Sequence, residues 1–381
     1  MKILVLNYEY PPIGAGAAPV CRDLAAGMAA EGQRVTVVTM GYRGLPERQQ
    51  ENGVEIIRLD CLRKHEHSCS PVEQLSFIIK AQSFLEKHLK THSYDICHTH
   101  FIFPDGPIAL WLKTRHGMPY VLTAHGSDVE GHNTRVSMRV MHRILRPAWK
   151  KIVSSAYAVA APSSHLIRLM NDVMRSRRYV MIPNGLDIKK YKFEWTDKEK
   201  RILVMGRMQK FKNVQTILTA ISLINQDAWD GWHVDILGDG PYREELERLA
   251  INLNITERAT FHGWIDNGSE EQLAYLKRAS IYVSASYFEN CPMSVLEAIA
   301  SGCYPLLSDI EGHRQFFGNK RNQFFFKVDD VEELSKMLQE LLKKDLLLNM
   351  PDIDIAGFDN SMVCRLYIQL LEKSVNNGKT R

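Results

Sequence analysis

The chain has 381 residues, of which 45% are apolar, and this is enough to bury two cores of ordinary domain size. Its formal charge of +4 is only mildly basic, so the charge balance gives no indication of a nucleic-acid partner.

The seven cysteines form no C-x-x-C pair and no metal-binding spacing, which favours reduced thiols over a disulfide framework. The chain begins directly with a strand pattern at 2–7, and no run reaches the roughly 18 apolar residues that span a bilayer. We therefore expect a cytoplasmic protein, soluble or bound peripherally to the inner face of a membrane.

The N-terminal half alternates short apolar strands with helical patterns. Strands are predicted at 3–6, 35–39, 54–59, 96–98, 120–123 and 158–161, with helices at 20–31, 71–89 and 107–114. Alternation at these lengths predicts an α/β fold with a doubly wound parallel sheet.

A glycine loop, Gly14-Ala15-Gly16, follows the first strand and opens the first helix. A dinucleotide-binding fingerprint would need a third glycine where Pro19 stands, and an acidic residue about twenty positions on, where 35–40 contains none. The loop therefore argues against a nicotinamide-dependent dehydrogenase.

A second loop candidate, residues 122–128, follows another strand and contains His125, Gly126 and Asp128. Ligand-binding loops emerge at the carboxyl ends of parallel strands, so we expect His125 to be functional. Asp128 either orients His125 or holds an acceptor hydroxyl. By contrast, His98 and His100 are interpreted as structural.

Residues 135–151 carry cations and no acid, with apolar residues between them. Spacings of three and four place most of the cations on one helical face, which is typical of a surface that lies on anionic lipid or of a solvated helix. Pro147 is expected to divide the stretch into two helices. The cations are Arg135, Arg139, Arg143, Arg146, Lys150 and Lys151.

After a polar linker near 188–200 the alternation starts again. Strands are predicted at 202–205, 233–237, 259–262, 281–284 and 304–307, and helices at 214–223, 243–253, 270–278, 293–300 and 360–373. This arrangement predicts a second doubly wound α/β half.

The strand at 202–205 runs into a glycine turn with two cations, Arg207 and Lys212. Both would lie at the carboxyl end of a parallel strand, where open α/β sheets bind ligands. An Arg fork combined with a Lys point charge suits a diphosphate leaving group.

Glu289 and Glu297 bracket a predicted helix start, E-N-C-P-M-S-V-L-E. Pro292 suits the first turn, Ser294 and Glu297 have the spacing of a capping box, and Gly302 is expected to end the helix. The N–H groups of Met293, Ser294 and Val295 would form an anion site. Such a site between two carboxylates able to hold hydroxyls predicts a pocket for a sugar nucleotide.

These elements resemble those of the family 4 retaining glycosyltransferases of the GT-B fold. The family's G-R-x4-K matches Gly206, Arg207 and Lys212, and its E-x7-E matches Glu289 and Glu297. Its L-G-x-G-P matches 237–241 and its P-N-G-x-D matches 183–187, so the resemblance extends over nearly the whole chain.

The resemblance implies two Rossmann-like domains that face each other across a cleft. Residues 1–187 would form the acceptor-side domain and 188–357 the nucleotide-sugar donor domain, with the helix in 358–381 returning to the N-terminal half. It further implies transfer of a hexosyl-type unit, with retention, from a UDP- or GDP-linked sugar to a hydroxyl acceptor. That acceptor would be a glycan or lipid-linked sugar in cell-surface polysaccharide or glycolipid synthesis. No metal, cofactor, covalent nucleophile or nucleic-acid partner is expected.

The resemblance also assigns roles to single residues. The catalytic residues it implies are His125, Arg207, Lys212 and Glu289. The substrate-binding residues it implies are Gly16, Asp128, Gly206, Gly238, Met293, Ser294, Val295 and Glu297, with Glu297 on the ribose.

Three alternative functions are compatible with parts of this pattern. A sugar-nucleotide 2-epimerase shares the fold, but the G-R-x4-K and E-x7-E elements favour a transferase. A phosphorylase would need a longer chain and a lysine that binds pyridoxal phosphate. A non-catalytic sugar-nucleotide-binding subunit would normally lose the charged residues that are present here.

Overall fold

A computed structural model of the chain describes residues 1–14, 16–132, 136–191, 197–317, 322–343 and 353–379. The chain folds into two compact units. Unit 1 consists of residues 1–185 together with 358–381, and unit 2 consists of residues 186–357.

The strands of the described residues fall into one sheet per unit. In unit 1 they are β1 (Lys2–Leu6), β2 (Arg34–Met40), β3 (Arg48–Glu51), β4 (Val54–Leu59), β5 (Ile96–His100), β6 (Tyr120–Thr123), β7 (Val159–Ala161) and β8 (Tyr179–Met181). In unit 2 they are β9 (Glu199–Met205), β10 (His233–Leu237), β11 (Ala259–Gly263), β12 (Ala279–Ser284), β13 (Tyr304–Ser308) and β14 (Phe325–Phe326).

Helices alternate with these strands in both units. They are α1 (Ala17–Ala30), α2 (Pro71–His88), α3 (Asp105–His116), α4 (Val136–Ser155), α5 (Ser164–Val173), α6 (Val214–Ser222), α7 (Arg243–Asn252), α8 (Glu270–Arg278), α9 (Met293–Ala300), α10 (Glu311–Arg314), α11 (Val331–Leu342) and α12 (Asn360–Lys379).

The sheet of unit 1 has the order β3-β4-β2-β1-β5-β6-β7-β8, and only β3 pairs antiparallel with its neighbour. Strands β2, β3 and β4 lie on one side of β1 in the sheet, and β5 to β8 lie on the other side. The winding of the chain therefore reverses between β1 and β5. Residues 3–6 of β1 are fully buried because helices cover both faces of the sheet, which explains their continuous apolar run.

Two cores lie on the two faces of this sheet. One packs α2, α3 and α4 against it, around buried residues such as Phe77, Leu112 and Trp149. The other packs α1 and α12, where Val363, Cys364, Tyr367 and Leu371 of the last helix are buried. The final helix is therefore an integral part of unit 1.

The sheet of unit 2 has the order β11-β10-β9-β12-β13-β14, and all its pairs are parallel. Here the winding reverses between β9 and β12. Ligands of open α/β sheets bind outside the carboxyl ends of the strands at such a reversal. The topology therefore predicts a ligand-binding site at the loops that follow β9 and β12.

The prediction of two doubly wound α/β halves is confirmed, and every predicted strand and helix overlaps an observed one. Six observed elements were not predicted from the sequence: β3, β8, β14, α5, α10 and α11. Of the predicted linker, residues 192–196 lie outside the described residues, and Glu199 and Lys200 already belong to β9.

The expected division of the basic stretch at Pro147 is wrong. Pro147 lies inside the single helix α4. Because Pro147 is exposed, water can satisfy the carbonyl that loses its N–H donor, and the helix continues.

Candidate functional site

The candidate residues of unit 2 follow the two strands at the reversal point of its sheet. Gly206 and Arg207 come directly after β9, and Glu289 comes five residues after β12. Lys212 ends a short 3₁₀ turn in the β9 loop. The sequence predicted two neighbouring loops of one domain, and the structure brings Lys212 into contact with Glu289.

This contact is a largely buried ion pair. Nζ of Lys212 lies 2.5 Å from Oε1 of Glu289, and the two side chains are 19% and 12% exposed. The hydroxyl of Ser286 donates to the same carboxylate oxygen at 2.8 Å. Oε1 is therefore held from two sides.

Backbone and aromatic contacts fix the two loops to each other. The backbone N–H of Tyr287 donates to the carbonyl of Phe211 at 2.9 Å. The rings of Phe211 and Phe288 stack with centroids 4.8 Å apart. Since each phenylalanine directly precedes a member of the ion pair, the stack restrains both charged side chains.

The electrostatics of the pair favour an ionised carboxylate. Burial raises the pKa of Glu289, but the Lys212 ammonium, together with His313 and the Ser286 hydroxyl, lowers it by more, so this pKa lies below the ordinary value of 4.5. Glu289 is therefore negatively charged at neutral pH.

A buried histidine, His313, is connected to the Glu289 loop through hydrogen bonds of Ser308. Nδ1 of His313 donates to the carbonyl of Ser308 at 2.8 Å, and the Ser308 hydroxyl donates to the carbonyl of Ser286 at 2.7 Å. Burial lowers the pKa of His313 to about 4, so the ring is neutral. A Cβ on Gly312 would lie 2.1 Å from the Glu289 carbonyl oxygen, so only glycine fits there. The contacts of Gly312 and His313 with the Glu289 loop were not predicted from the sequence, although both residues follow the end of β13, where ligand-binding loops emerge.

Gly206 and Gly238 bring the β9 and β10 loops into close backbone contact. The N–H of Gly206 donates to the Leu237 carbonyl at 3.0 Å. Gly238 has φ +128°, and a Cβ there would lie 2.0 Å from the Gly206 carbonyl oxygen. The glycines are thus required by the fold itself, whatever they bind.

Arg207 differs from Lys212 in its surroundings. Its side chain is exposed, and among the residues that the structure describes none pairs with its guanidinium. The planar fork is therefore available to an anionic ligand, whereas one donor of Lys212 is already engaged.

Helix α9 begins at Met293, with Pro292 as the residue before it. The predicted capping box is wrong: α9 has no side-chain cap, and the Ser294 hydroxyl instead accepts from Tyr282 at 2.9 Å. Ser294 is the second helical residue, so it stands too far into the helix to cap it. The N–H groups of the first turn, on Met293, Ser294 and Val295, have no carbonyl partner within the helix. As predicted, the helix ends before Gly302, which has φ +75°.

Glu297 lies one turn into α9 and points into the protein, with 5% of its surface exposed. Nε2 of Gln272, on α8, donates to its Oε2 at 3.2 Å. The sequence analysis gave Gln272 no role.

In unit 1, the glycine loop follows β1 at the reversal point of that sheet. Gly14 has φ +109°, and a Cβ there would lie 2.6 Å from Cβ of Glu9. Gly16 is the residue before α1, and a Cβ on it would meet nothing within 4 Å. Ala15 lies outside the described residues. Gly14 is therefore the glycine that the fold requires, and Gly16 leaves open space at the helix start.

Asp128 organises the loop that carries His125. Its Oδ1 accepts the backbone N–H groups of Gly126 at 2.9 Å and His125 at 3.1 Å, and its Oδ2 accepts that of Ile102 at 2.7 Å. These contacts are those of an orienting residue, the first of the two roles that the sequence left open.

His125 lies in a group of histidines. Its Nε2 is 3.0 Å from Nδ1 of His100, and the two rings are nearly parallel, at 12°. Burial lowers the pKa of His125 to about 4, so one neutral ring donates to the other. His98 bonds Thr123, which donates to the hydroxyl of Tyr367 on α12. His98 and His100 lie two residues apart on β5, so both are on the same face of the strand. This spacing is the sequence pattern from which the proximity of His100 to the site could have been predicted.

The cationic face of α4 is partly neutralised. Arg146 forms a bidentate pair with Glu130, at 3.0 and 2.9 Å, while Arg139 and Arg143 are exposed. Two apolar side chains on the helix, Val140 and Ile144, are also exposed, by 53% and 72%. Arg135 lies outside the described residues. We call Arg139, Val140, Arg143 and Ile144 the α4 surface.

Among the residues that the structure describes, no three His, Cys, Asp or Glu side chains are grouped as a metal ion would need. Each of the seven cysteines is a free thiol. No helix in the described ranges is long and apolar enough to cross a membrane.

Two family descriptions match the two halves of the chain. Residues 187–352 match "Glycosyl transferases group 1", and residues 15–185 match "Glycosyl transferase 4-like domain". The two matches are adjacent and together span almost the whole chain.

Individual proteins agree with these matches. An uncharacterised glycosyltransferase of Methanocaldococcus jannaschii is 25% identical over 353 residues, covering 84% of each chain. Alpha-monoglucosyldiacylglycerol synthase of Streptococcus pneumoniae is 27% identical over 233 residues, which are 56% of this chain and 51% of that protein. Anabaena HepE, solved in complex with UDP-glucose, has a similar fold: the TM-score is 0.74 at 16% identity, covering 98% of this chain and 100% of HepE.

Proposed function

Because this chain belongs to the family 4 glycosyltransferases, with the GT-B fold, we propose that it transfers a hexosyl unit with retention of anomeric configuration. The donor is a UDP- or GDP-linked sugar. The acceptor is a hydroxyl group of a glycan or lipid-linked sugar in cell-surface polysaccharide or glycolipid synthesis. The name of the Streptococcus pneumoniae relative, a glycolipid synthase, supports that acceptor class.

The observation that carries the proposal is the buried Lys212–Glu289 pair at the reversal point of the unit 2 sheet. A buried carboxylate that is held ionised by a lysine suits hydroxyl groups, which donate to it. The Lys212 ammonium has three N–H donors, and Glu289 uses one of them. The remaining donors can serve a phosphate.

In the proposed donor complex, the diphosphate binds Arg207, Lys212 and the first-turn amides of α9. Negative charge grows on the diphosphate as the sugar–phosphate bond breaks. Fixed donors aimed at that growing charge lower the barrier without needing to reorganise. The exposed, unpaired guanidinium of Arg207 supports its assignment to this task.

The two glutamates take different parts of the donor. Glu297 binds the ribose hydroxyls, and Glu289 binds hydroxyls of the transferred sugar. With Oε1 of Glu289 held by Lys212 and Ser286, its other oxygen is the one assigned to the sugar. Neither glutamate acts as a covalent nucleophile: the leaving phosphate takes the proton of the acceptor hydroxyl, which attacks from the same face.

The residues of unit 1 are assigned by their family positions. His125 contacts the transferred sugar, with its loop held by Asp128, and the open space at Gly16 admits an anionic group near the start of α1. The neutral state of His125 makes it a hydrogen-bonding group rather than a charge.

We also propose that the α4 surface binds anionic membrane lipid. Exposed Val140 and Ile144 provide apolar contact, and Arg139 and Arg143 beside them provide the charge that anionic headgroups attract. Peripheral binding would bring the enzyme to a lipid-linked acceptor.

The test of the activity uses purified protein with UDP-glucose, UDP-galactose and GDP-mannose as separate donors. Acceptors are a monoglucosyldiacylglycerol and a polyprenyl-diphosphate-linked sugar in mixed vesicles. The proposal expects nucleoside diphosphate release that depends on an acceptor, and a product whose NMR coupling constant shows the donor's anomeric configuration. Binding of UDP and GDP without acceptor-dependent release, or an inverted product, would contradict it.

A further inference from the structure

Gln272 is a buried polar residue on α8, and its side chain reaches Glu297 on α9. It is 5% exposed and is the third residue of its helix. The helix is capped by Ser269, whose hydroxyl accepts the backbone N–H of Gln272 at 3.2 Å. The backbone of Gln272 is thus fixed at the start of α8.

The orientation of the Gln272 amide is determined by its neighbours. Its Oε1 lies 2.5 Å from the backbone nitrogen of Gly268. A backbone N–H only donates, so the amide oxygen must face Gly268 and the amide NH₂ must face Glu297. The Gly268 turn is itself held, because Lys190 Nζ donates to its carbonyl at 2.8 Å.

The bond from Nε2 of Gln272 to Oε2 of Glu297 therefore joins two rigid helices. A carboxylate offers about four lone-pair sites, and Gln272 occupies one of them. The bond restrains the Glu297 side chain before any ligand arrives. A binding group that is ordered in advance loses less entropy when the ligand binds.

We propose that Gln272 is a positioning residue that gives the site its preference for ribonucleotides over nucleotides without ribose hydroxyls. The inference rests on the proposed role of Glu297 as the ribose ligand. Gln272 does not touch the nucleotide; it acts by holding Glu297 where the hydroxyls bind.

The experiment is a thermodynamic cycle between the protein and the ligand. Calorimetry measures the affinity of UDP and of 2′,3′-dideoxy-UDP, with GDP and 2′,3′-dideoxy-GDP as the second pair, for wild type, Gln272→Met and Gln272→Glu. Gln272→Met keeps the length of the side chain without its donor. Gln272→Glu keeps the acceptor for Gly268 and replaces the donor that faces Glu297, so the test does not depend on one variant folding.

Wild type should bind the preferred ribonucleotide on the order of 10- to 100-fold more tightly than its dideoxy form, as expected for hydrogen bonds to a charged group. Both variants should reduce that ratio by about fivefold or more while binding the dideoxy nucleotide as wild type does. Asp330→Ala is the matched control: it removes the N-cap of α11, another helix of unit 2, so it should lower the melting temperature and keep the ratio.

Two results would overturn the inference, and they differ. If both nucleotides weaken by the same factor in the Gln272 variants, or if the ratio is unchanged, Gln272 is only structural. If wild type itself does not distinguish the two nucleotides, the ribose role of Glu297 fails, and the inference fails with it.

Discussion

Lys212 and Glu289, 77 residues apart in sequence, form an ion pair of 2.5 Å in which each side chain is mostly buried. Breaking a buried pair by removing one member leaves an uncompensated charge, so the two residues cannot be replaced independently. In a double-mutant cycle, Lys212→Met combined with Glu289→Gln should lower the free energy of unfolding by much less than the sum of the two single changes.

The pH dependence of the reaction should depend on Lys212. Burial raises the pKa of Glu289, but Lys212, with smaller contributions from His313 and Ser286, brings it below 4.5. The stabilising contribution of ionised Glu289 is therefore present above 4.5 and is lost as pH falls through the lower folded-state value. Lys212→Met removes the strongest group that opposes burial and leaves the Ser286 hydroxyl and His313, so the acid limb of kcat/KM should move to higher pH.

The control for that experiment is Lys210→Met, which removes an exposed cation from the same loop. It should keep the wild-type acid limb. Superimposable pH profiles for Lys212→Met and wild type would refute the assignment of Lys212 as the group that keeps Glu289 ionised.

Arg207→Ala should mainly lower kcat, because the charge that Arg207 faces grows as the sugar–phosphate bond breaks. The expected loss is of order 10²–10³-fold, as for other fixed charge stabilisers. Steady-state kinetics at saturating donor measure it, with Lys210→Ala as the comparison. A near-normal kcat in Arg207→Ala would make the leaving-group assignment wrong.

Substitutions of the two glutamates should change different kinetic parameters. Glu297→Ala removes ribose contacts that are equal in ground and transition states, so it should mainly raise the KM for the donor. Glu289→Gln should impair turnover while nucleoside diphosphate still binds, because the partner of Glu289 is the sugar. Calorimetry with UDP and GDP, beside kinetics, separates the two outcomes; equal loss of nucleoside diphosphate affinity in both variants would speak against the division.

Activity should persist without divalent metal, since Arg207, Lys212 and the α9 amides are assigned to the diphosphate charge. The measurement is turnover in excess EDTA compared with turnover in added magnesium or manganese. Complete loss in chelator that either metal restores is the result that rules the prediction out.

The α4 surface should determine membrane binding. Arg139→Glu with Arg143→Glu should weaken binding to phosphatidylglycerol vesicles by roughly 30-fold or more, since each cation near an anionic surface contributes about 1 kcal/mol. Nucleoside diphosphate affinity should not change. The matched control is Lys336→Glu with Arg248→Glu, an equal change of charge at exposed positions of unit 2. Equal vesicle binding by the two double variants, or none by wild type at low salt, would leave α4 as a solvated helix.

The sequence predicted the fold and the loops of the site because their signals are local. Apolar runs such as 202–205 and 281–284 mark buried parallel strands, and the residues directly after them must lie at the sheet edge. The missed strand β14 has only two residues, too few for any period, whereas α11 was missed although its buried leucines recur at helical spacing.

What the sequence could not predict are contacts between distant residues. Nothing near Lys212 indicates that its ammonium is paired, and nothing near Gln272 indicates a bond to a glutamate on the next helix. The capping box failed for a related reason. Ser294 and Glu297 have the right spacing, but tertiary partners, Tyr282 and Gln272, engage both side chains.

The position of α12 in the sequence affects the order in which the two units can fold during synthesis. Its residues Val363, Cys364 and Tyr367 complete a core whose other buried members lie between residues 3 and 182 or in α12 itself. Residues 358–381 are synthesised after residues 186–357, so unit 1 stays incomplete while unit 2 emerges and folds. A released chain truncated after residue 357 should therefore show native-like protease resistance in unit 2 and not in unit 1.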